Sequence, residues 1–266
     1  MKHFVTFFNK ALKQLSKPVK KFLKVILAPF SRIKKELWFY KTLFTYKKLN
    51  KNGRFPALRR NFFKCLDDNT KNTGFDAHYE YHQAWAARCL AKIQPEKHID
   101  ISSKITFNVT VSAFIPIDFY DFRPAKIYGL DNLNCKQADL TNLHFEDNSI
   151  ESISCMHTLE HIGLGRYGDR IDPDGDIKAM NELARVTSRG GNLLIVVPVG
   201  RPRVQFNAHR IYSYDMILEQ FKGFELVEFA LIPDNAMDLG IIYGASKELT
   251  NAQTYACGCF WFRKNL

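Results

Sequence analysis

Apolar and polar positions divide the chain into two regions with different periods. From about residue 97 onward, short apolar runs of strand type alternate with helical stretches. "KHIDIS" (97–102), "FIPIDFYDF" (114–122), "SIESISCMH" (149–157) and "GGNLLIVVPVG" (190–200) are predicted strands. A helix is predicted between the last two. Asp172 would cap it, Pro173 would take its first position, and Ile177, Met180, Leu183 and Ala184 share one face. Arg185 and Arg189 suit its C-terminus, and Gly190-Gly191 would stop it. The strands are apolar on both faces, and strand–helix–strand order with such strands predicts a parallel, doubly wound α/β sheet of Rossmann-like type.

Residues 1–30 follow a different period. Phe4, Phe7, Phe8, Leu12, Leu15, Val19, Phe22, Leu23, Ile26, Leu27 and Phe30 recur in steps of mostly three and four, the helical spacing, with lysines in the gaps. Pro18 and Pro29 are expected to break or kink this helix. A second aromatic and basic stretch, "ELWFYKTLFTYKKL", follows at 36–49.

Charge sharpens the division. The 266-residue chain has a formal charge of +11. Residues 1–66 carry 18 Lys and Arg against one acid, Glu36, whereas 67–266 carry 20 bases and 26 acids. The expected organisation is a basic amphipathic helical extension, 1–66, followed by a mildly acidic α/β domain, 67–266. A helix with an apolar face and a lysine face suits an anionic membrane surface, where each lysine contributes about 1 kcal/mol. Residues 1–48 are therefore expected to meet such a surface, with packing on the protein itself or on a partner subunit as the alternative. No motif supports a nucleic-acid partner.

No apolar run approaches the roughly 18 residues of a spanning helix, and lysines interrupt every candidate signal-peptide core. The six cysteines form no C-x-x-C pair and are expected as reduced thiols. The expected location is cytoplasmic, peripheral on the inner face of the membrane.

In doubly wound sheets ligands bind beyond the carboxyl ends of the strands. Those ends are Asp100 to Ser103, Asp121, His157 to His161, and Pro198 to Gly200. Asp100 and Asp121 are 21 positions apart, close to the spacing of a first-strand loop and a ribose-binding acid. A turn acid is the plainer reading of Asp121. "HTLEH" (157–161) has the H-x-x-E-H spacing of an inverted zinc peptidase. It follows a β-type run, however, and Gly163 and Gly165 come at once, leaving too little helix for that site. No metal is expected here. His157 and His161 are either strand-terminating residues or proton acceptors. The loop from Gly163 to Asp169 would wall the substrate, with Arg166 and Asp169 as polar groups and Asp169 as a further candidate base. "FNAHR" (206–210) adds Asn207, His209 and Arg210 at the same rim.

The stretch "DLTNLHFEDNSIESISCMHTLEHI", followed by "NELARVTSRGGNLLIVVPVG", resembles the central half of class I S-adenosylmethionine-dependent methyltransferases. "EHIGLGRYGD", "PVG" and "FNAHR" more narrowly resemble a little-characterised methyltransferase-like family of bacteria and nematodes. The resemblance implies S-adenosylmethionine as cofactor. Asp100 and Ser102 would line its methionine end, Asp121 would bind the ribose, Asp139 would sit beside the adenine, and His157 would stand where cofactor and acceptor meet. The first-strand loop, Asp100-Ile-Ser-Ser-Lys104, lacks the family's glycines. The expected activity is methyl transfer to a hydroxyl or amine of a sugar, glycolipid or other polysaccharide precursor. The alternative is a degenerate fold acting as a binding or scaffold protein.

Overall fold

The structure, a computed structural model, describes residues 17–266. Phe4, Phe7, Phe8, Leu12 and Leu15 of the predicted stripe lie outside the described residues. By its contacts the chain divides into two units, 1–74 and 75–266.

In the first unit, α1 (Lys17–Leu49) is one helix of 33 residues. Pro29 lies inside it and Pro18 in its first turn, so neither proline ends the helix. A proline in the first turn forfeits an N–H that has no helical partner anyway, which explains Pro18 but not Pro29. The chain then returns along the helix. The ring of Phe62 packs edge-on against Phe39 at 5.6 Å. Lys64 Nζ lies 2.7 Å from Glu36, the one acid of residues 1–66. The Tyr46 hydroxyl donates to the Phe55 carbonyl at 2.8 Å.

The second unit is built on an eight-stranded sheet, ordered β3-β2-β1-β4-β5-β10-β8-β9. Its strands are β1 (His98–Ile101), β2 (Ile117–Asp121), β3 (Leu133–Gln137), β4 (Ile150–Met156), β5 (Thr187–Val199), β8 (Phe224–Ile232), β9 (Ile242–Tyr243) and β10 (Ala256–Lys264). β3 to β5 form a parallel half with crossovers, and β10, β8 and β9 continue the sheet by antiparallel pairing. The short strands β6 (Arg203–Gln205) and β7 (His209–Ile211) make a separate hairpin.

Helices cover both faces. On one, α2 (Ala77–Ile93) and α3 (Ile105–Val111) pack over Ile117, Phe119, Val196, Cys257 and Cys259. On the other, α4 (Gly175–Val186) and α5 (Tyr214–Gln220) pack over Ile153, Ile195, Val197 and Phe260. The apolar runs of the central strands are thus explained by burial from both sides.

Two boundary details differ from the sequence reading. α4 begins at Gly175, after Asp174, so Asp172 and Pro173 precede it. Asp172 instead accepts from the Asp174 N–H at 3.1 Å and pairs with Lys178. At the other end, Thr187 closes the helix and opens β5 directly, its hydroxyl donating to the Leu183 carbonyl at 2.6 Å. Gly190 and Gly191 sit inside β5, where its register with β4 shifts. Gly190 has φ of +74°, and a Cβ on Gly191 would stand 2.8 Å from the Ser188 carbonyl oxygen. These glycines serve an irregularity in the strand, not a helix stop.

Candidate active site

The β1 end is organised around Asp100, which is completely buried. One carboxylate oxygen accepts from the Ser103 N–H at 3.1 Å and from the Asn108 amide at 2.8 Å. The other accepts from the Ser154 hydroxyl. Burial raises the Asp100 pKa against the opposing pull of these bonds. The carboxylate is therefore turned into the domain, where it holds the loop. The half-buried Ser102 follows with φ of +58°, a left-handed conformation that glycine adopts without cost. Its N–H and the Tyr120 carbonyl are 2.7 Å apart, and its own carbonyl accepts from Thr158 Oγ1 at 2.9 Å. A serine thus completes the turn that the missing glycines would make.

From Ser102 an open cleft runs along the strand ends. Its inner part is lined by Ser102, Asp121, Arg123, His157, Thr158, His161 and Tyr167. Its outer part, about 460 Å³, is bounded by Phe122, Asp139, Leu140, His161, Tyr167, Asp169 and Lys178. Asp121 caps its own turn through one oxygen, which accepts from the Arg123 N–H at 2.7 Å. Asp139 likewise closes a turn on Thr141, at 2.8 Å to the N–H and 2.7 Å to the hydroxyl. In each case the turn hydrogen bonds go to one carboxylate oxygen.

The H-x-x-E-H stretch crosses the end of β4 into a single 3-10 turn, Leu159–His161. Its two histidines are not side by side on a helix; the intervening Glu160 lies between them, buried. His157 Nδ1 lies 2.9 Å from Glu160 Oε1, and His157 Nε2 lies 3.4 Å from the Cys257 sulfur. Burial works against a charged His157, but its neighbours outweigh it and raise its pKa. The Cys257 thiol is pushed well above its ordinary range by burial, so the sulfur is neutral and the carboxylate of Glu160 is the group that favours imidazolium.

His161 stands differently. Its Nδ1 lies 2.6 Å from the Ala208 carbonyl, which fixes the proton on that nitrogen. Nε2 is left with a lone pair, 3.8 Å from Glu160 Oε1. Burial lowers the His161 pKa, so the ring is neutral at physiological pH.

The loop beyond is a self-contained turn. Asp169 accepts from the N–H groups of Gly163 at 2.9 Å, Gly165 at 3.2 Å and Tyr167 at 3.1 Å. Burial opposes these bonds, yet they hold its carboxyl below the usual range. Gly163 is required: φ is +77°, and a Cβ there would lie 2.0 Å from the Asp172 carbonyl oxygen. Arg210 pins the same loop. Its guanidinium donates to the carbonyls of Ile162 at 2.7 Å and Pro173 at 3.0 Å, and Nε lies 3.5 Å from Asp176. Its donors are spent on the backbone and on Asp176, not offered to a phosphate. Arg166 stacks over Tyr167 and donates to the Ala208 carbonyl at 3.1 Å. Asn207 is exposed and lines none of these cavities.

A second cavity, about 580 Å³, adjoins the cleft at His157, His161 and Tyr167. It is bounded by Asp76, His78, Tyr79, Glu160, Arg166, His209, Asp234 and Tyr255. His209 stacks on Tyr255 with ring centroids 4.8 Å apart, and its buried Nε2 has no partner. The sequence reading placed His209 at this rim but missed His78, Tyr79 and Tyr255. The first two lie on α2, whose helical period is visible in "AHYEYHQAWAARCLAKI", and the third lies at the start of the last strand run.

Comparison with known proteins agrees with this architecture. Residues 134–256 match the family DUF268, described as a Caenorhabditis protein of unknown function. An uncharacterized protein of Methanocaldococcus jannaschii, MJ0638, is 26% identical over 95 residues, which are 34% of this chain and 37% of that protein. Little more than a third of that relative's length is therefore spanned. Among solved structures, the YcgJ protein of Bacillus subtilis is 14% identical, with 70% of this chain and 99% of that one covered at a TM-score of 0.50. The [4+2]-cyclase SpnF is 15% identical, with 74% and 85% covered, also at 0.50. A phosphoethanolamine N-methyltransferase of Haemonchus contortus, solved with S-adenosylhomocysteine, is 14% identical, with 73% and 56% covered at 0.48. Likeness at these identities concerns the fold alone: the second unit shares a Rossmann-like α/β fold with YcgJ and SpnF, and most of it falls within the match to DUF268.

Proposed function

We propose that the domain is an S-adenosylmethionine-dependent methyltransferase for a small, sugar-like acceptor, held at an anionic membrane surface by its basic arm. One observation carries the catalytic part of the reading. A cleft bounded by Ser102, Asp121 and Asp139 joins a separate polar and aromatic cavity at a neutral histidine, His161. Cofactor and acceptor can thus enter from different sides and meet at one base.

The residues present fit the cofactor. Asp121 offers a carboxylate oxygen to a ribose diol, Ser102 offers its hydroxyl at the first-strand turn, and Asp139 and Leu140 form the far wall. Asp100 acts behind Ser102 by fixing the loop. The bound sulfonium supplies the methyl group for an in-line displacement. The chain's own work is to align the acceptor and take its proton. His161 has the free nitrogen for that step, with Nδ1–H anchored on the Ala208 carbonyl. Glu160 stabilises the imidazolium as it forms. His157 and Asp169, the other candidate bases, are held by Glu160 and by three backbone N–H groups, and they position the strand end and the loop. Tyr79, Tyr167 and Tyr255 give the acceptor cavity aromatic faces, which suit a sugar ring more than a charged phosphate.

The arm supports the membrane part. Phe30, Ile33, Leu37, Tyr40 and Phe44 recur at helical spacing on α1 and are all exposed. No helix among the described residues is long and apolar enough to cross a membrane. A stripe of this kind beside lysines fits the bilayer interface.

A second reading has its own observation. The first-strand loop is closed by serines with the Asp100 carboxylate satisfied inside the domain, which a non-catalytic binding protein would tolerate. Incubation of the full chain with labelled cofactor and a panel of nucleotide sugars and glycolipid precursors separates the two. Acceptor-dependent formation of S-adenosylhomocysteine is expected; cofactor binding without transfer to any of the panel would favour the binding protein.

A further inference from the structure

Behind the wall of the acceptor cavity, among the described residues, one group of three ligand-type side chains converges: His82, His157 and Cys257. They come from α2, the end of β4 and the start of β10. One ligand atom from each lies within 4.8 Å of the other two. We propose that these residues form a zinc site of His₂Cys type, independent of the methyl-transfer reading and distinct from the zinc-peptidase use of H-x-x-E-H.

Four features of the arrangement support a metal. His82 is completely buried, its Nδ1 lies 2.7 Å from the His78 carbonyl, and its Nε2 has no hydrogen-bond partner. The carbonyl fixes the proton on Nδ1, so a bare lone pair on Nε2 is enclosed within the domain. Buried polar atoms without partners are rare, and an ion is one reason to keep one. His157 repeats the pattern. Its Nδ1 faces Glu160 Oε1, which leaves Nε2 directed at the Cys257 sulfur, 3.4 Å away. With zinc bonds of about 2.0–2.1 Å to nitrogen and 2.3 Å to sulfur, a tetrahedral nitrogen–sulfur edge is about 3.6 Å. The observed distance needs only a small adjustment.

The third feature is the outer ring of partners. Metal-bound histidines regularly donate their second N–H to a carboxylate or a backbone carbonyl, and here one histidine has each. The fourth is charge. A doubly charged cation, a Cys257 thiolate and the Glu160 carboxylate sum to zero at a site where His82 and Cys257 are completely buried. Binding therefore displaces two protons to solvent, that of the thiol and that of His157 Nε2, and forms metal–sulfur and metal–nitrogen bonds in their place, with no change of oxidation state. Thiolate and imidazole together favour zinc over magnesium or calcium. A fourth position is left to water or to a group from the adjoining cavity, which His78 and His157 line.

The test uses the full chain. Purified protein from zinc-supplemented cells should hold about one equivalent of zinc by mass spectrometry. After metal removal, titration with cobalt should produce a thiolate-to-cobalt charge-transfer band. Cys257→Ser should abolish that band, and Glu160→Gln should weaken zinc affinity about 10–100-fold through the outer ring. His82→Ala should lower the metal content without touching H-x-x-E-H. Wild-type protein that shows neither zinc nor the cobalt band would overturn the proposal whatever the variants do. Equal metal content in wild type and folded Cys257→Ser would overturn it too, by placing the ion elsewhere. Cofactor titration of metal-free protein is a separate readout, so loss of one reading leaves the other standing.

Discussion

The arm and the domain treat the same kind of side chain in opposite ways. On α1, Phe30, Leu37 and Phe44 are between 64% and 72% exposed, whereas Phe221, Phe260 and Phe262 of the domain are at most 2% exposed. The arm has an excess of 17 positive charges over residues 1–66, and the remaining chain an excess of six negative ones. A stripe left uncovered along two helical turns and more does not stabilise the helix that carries it. It is surface kept for something else. The domain instead spends its aromatics on its own core and keeps its polar chemistry at the strand ends. On the proposed function, location belongs to the arm and chemistry to the domain, and each should be separable from the other by substitution.

The largest effect should come from the base. His161→Ala is expected to slow methyl transfer about 10²–10⁴-fold, the range for a lost general base, with vesicle binding unchanged. An equal loss from a residue of the arm in a detergent-free soluble assay would break the division. In the arm, Phe44→Ser should cost about 1.5–3 kcal/mol of affinity for anionic vesicles, measured by co-flotation, and leave cofactor affinity as it was. High salt should weaken wild-type binding, since screening shortens the reach of each lysine.

Acid should unfold the domain and not the arm. Burial lowers the pKa of His78, His82, His98, His161 and His209, and brings His98, enclosed between Ser152 and Ser154, to about 3. In the unfolded chain these rings titrate near 6.5, so below that value unfolding takes up protons and stability falls. The fully buried His82 and His98 each steepen the loss by up to about 1.4 kcal/mol per pH unit until the folded pKa is reached, and the partly exposed rings add less. His157 runs the other way. Its raised pKa gives a contribution that is complete below the unfolded value and is lost as pH rises through the folded one. Urea unfolding at pH 7 and pH 5 should show the net loss, and His98→Asn should shrink it. The described part of the arm contains no histidine and should keep its helix signal. The smallest effect is Ser102→Gly. It should gain up to about 1 kcal/mol in the same unfolding measurement, by relieving a left-handed serine.

Much of the domain was legible because its central strands are apolar on both faces. β1, β2, β4 and β5 are visible in the sequence for that reason. β3 is not, because "LNCKQ" lies at the sheet edge with only Leu133 buried. In the antiparallel half, β8 to β10, the intervening helices Ala236–Leu239 and Lys247–Ala252 are only four and six residues long, too short to leave a helical period in the sequence. Among the proposed site residues, Asp121, Asp139 and His161 could be picked out because strand ends and their turns are local features. The functions of Asp169 and Arg210 could not, since both are settled by backbone groups they meet only in the fold. Cys257 meets His82 and His157 only through the sheet order, and nothing in its own stretch of sequence marks it.

The central claim is that the cleft beyond β1 and β2 holds S-adenosylmethionine. Calorimetric titration of the full chain with the cofactor, beside Asp121→Ala, tests it most directly. The account predicts saturable binding by the wild type and a loss of about 1.5–3 kcal/mol in the variant, the worth of a hydrogen bond to a charged group. No saturable heat at millimolar cofactor, or identical affinity in the two proteins, would contradict it.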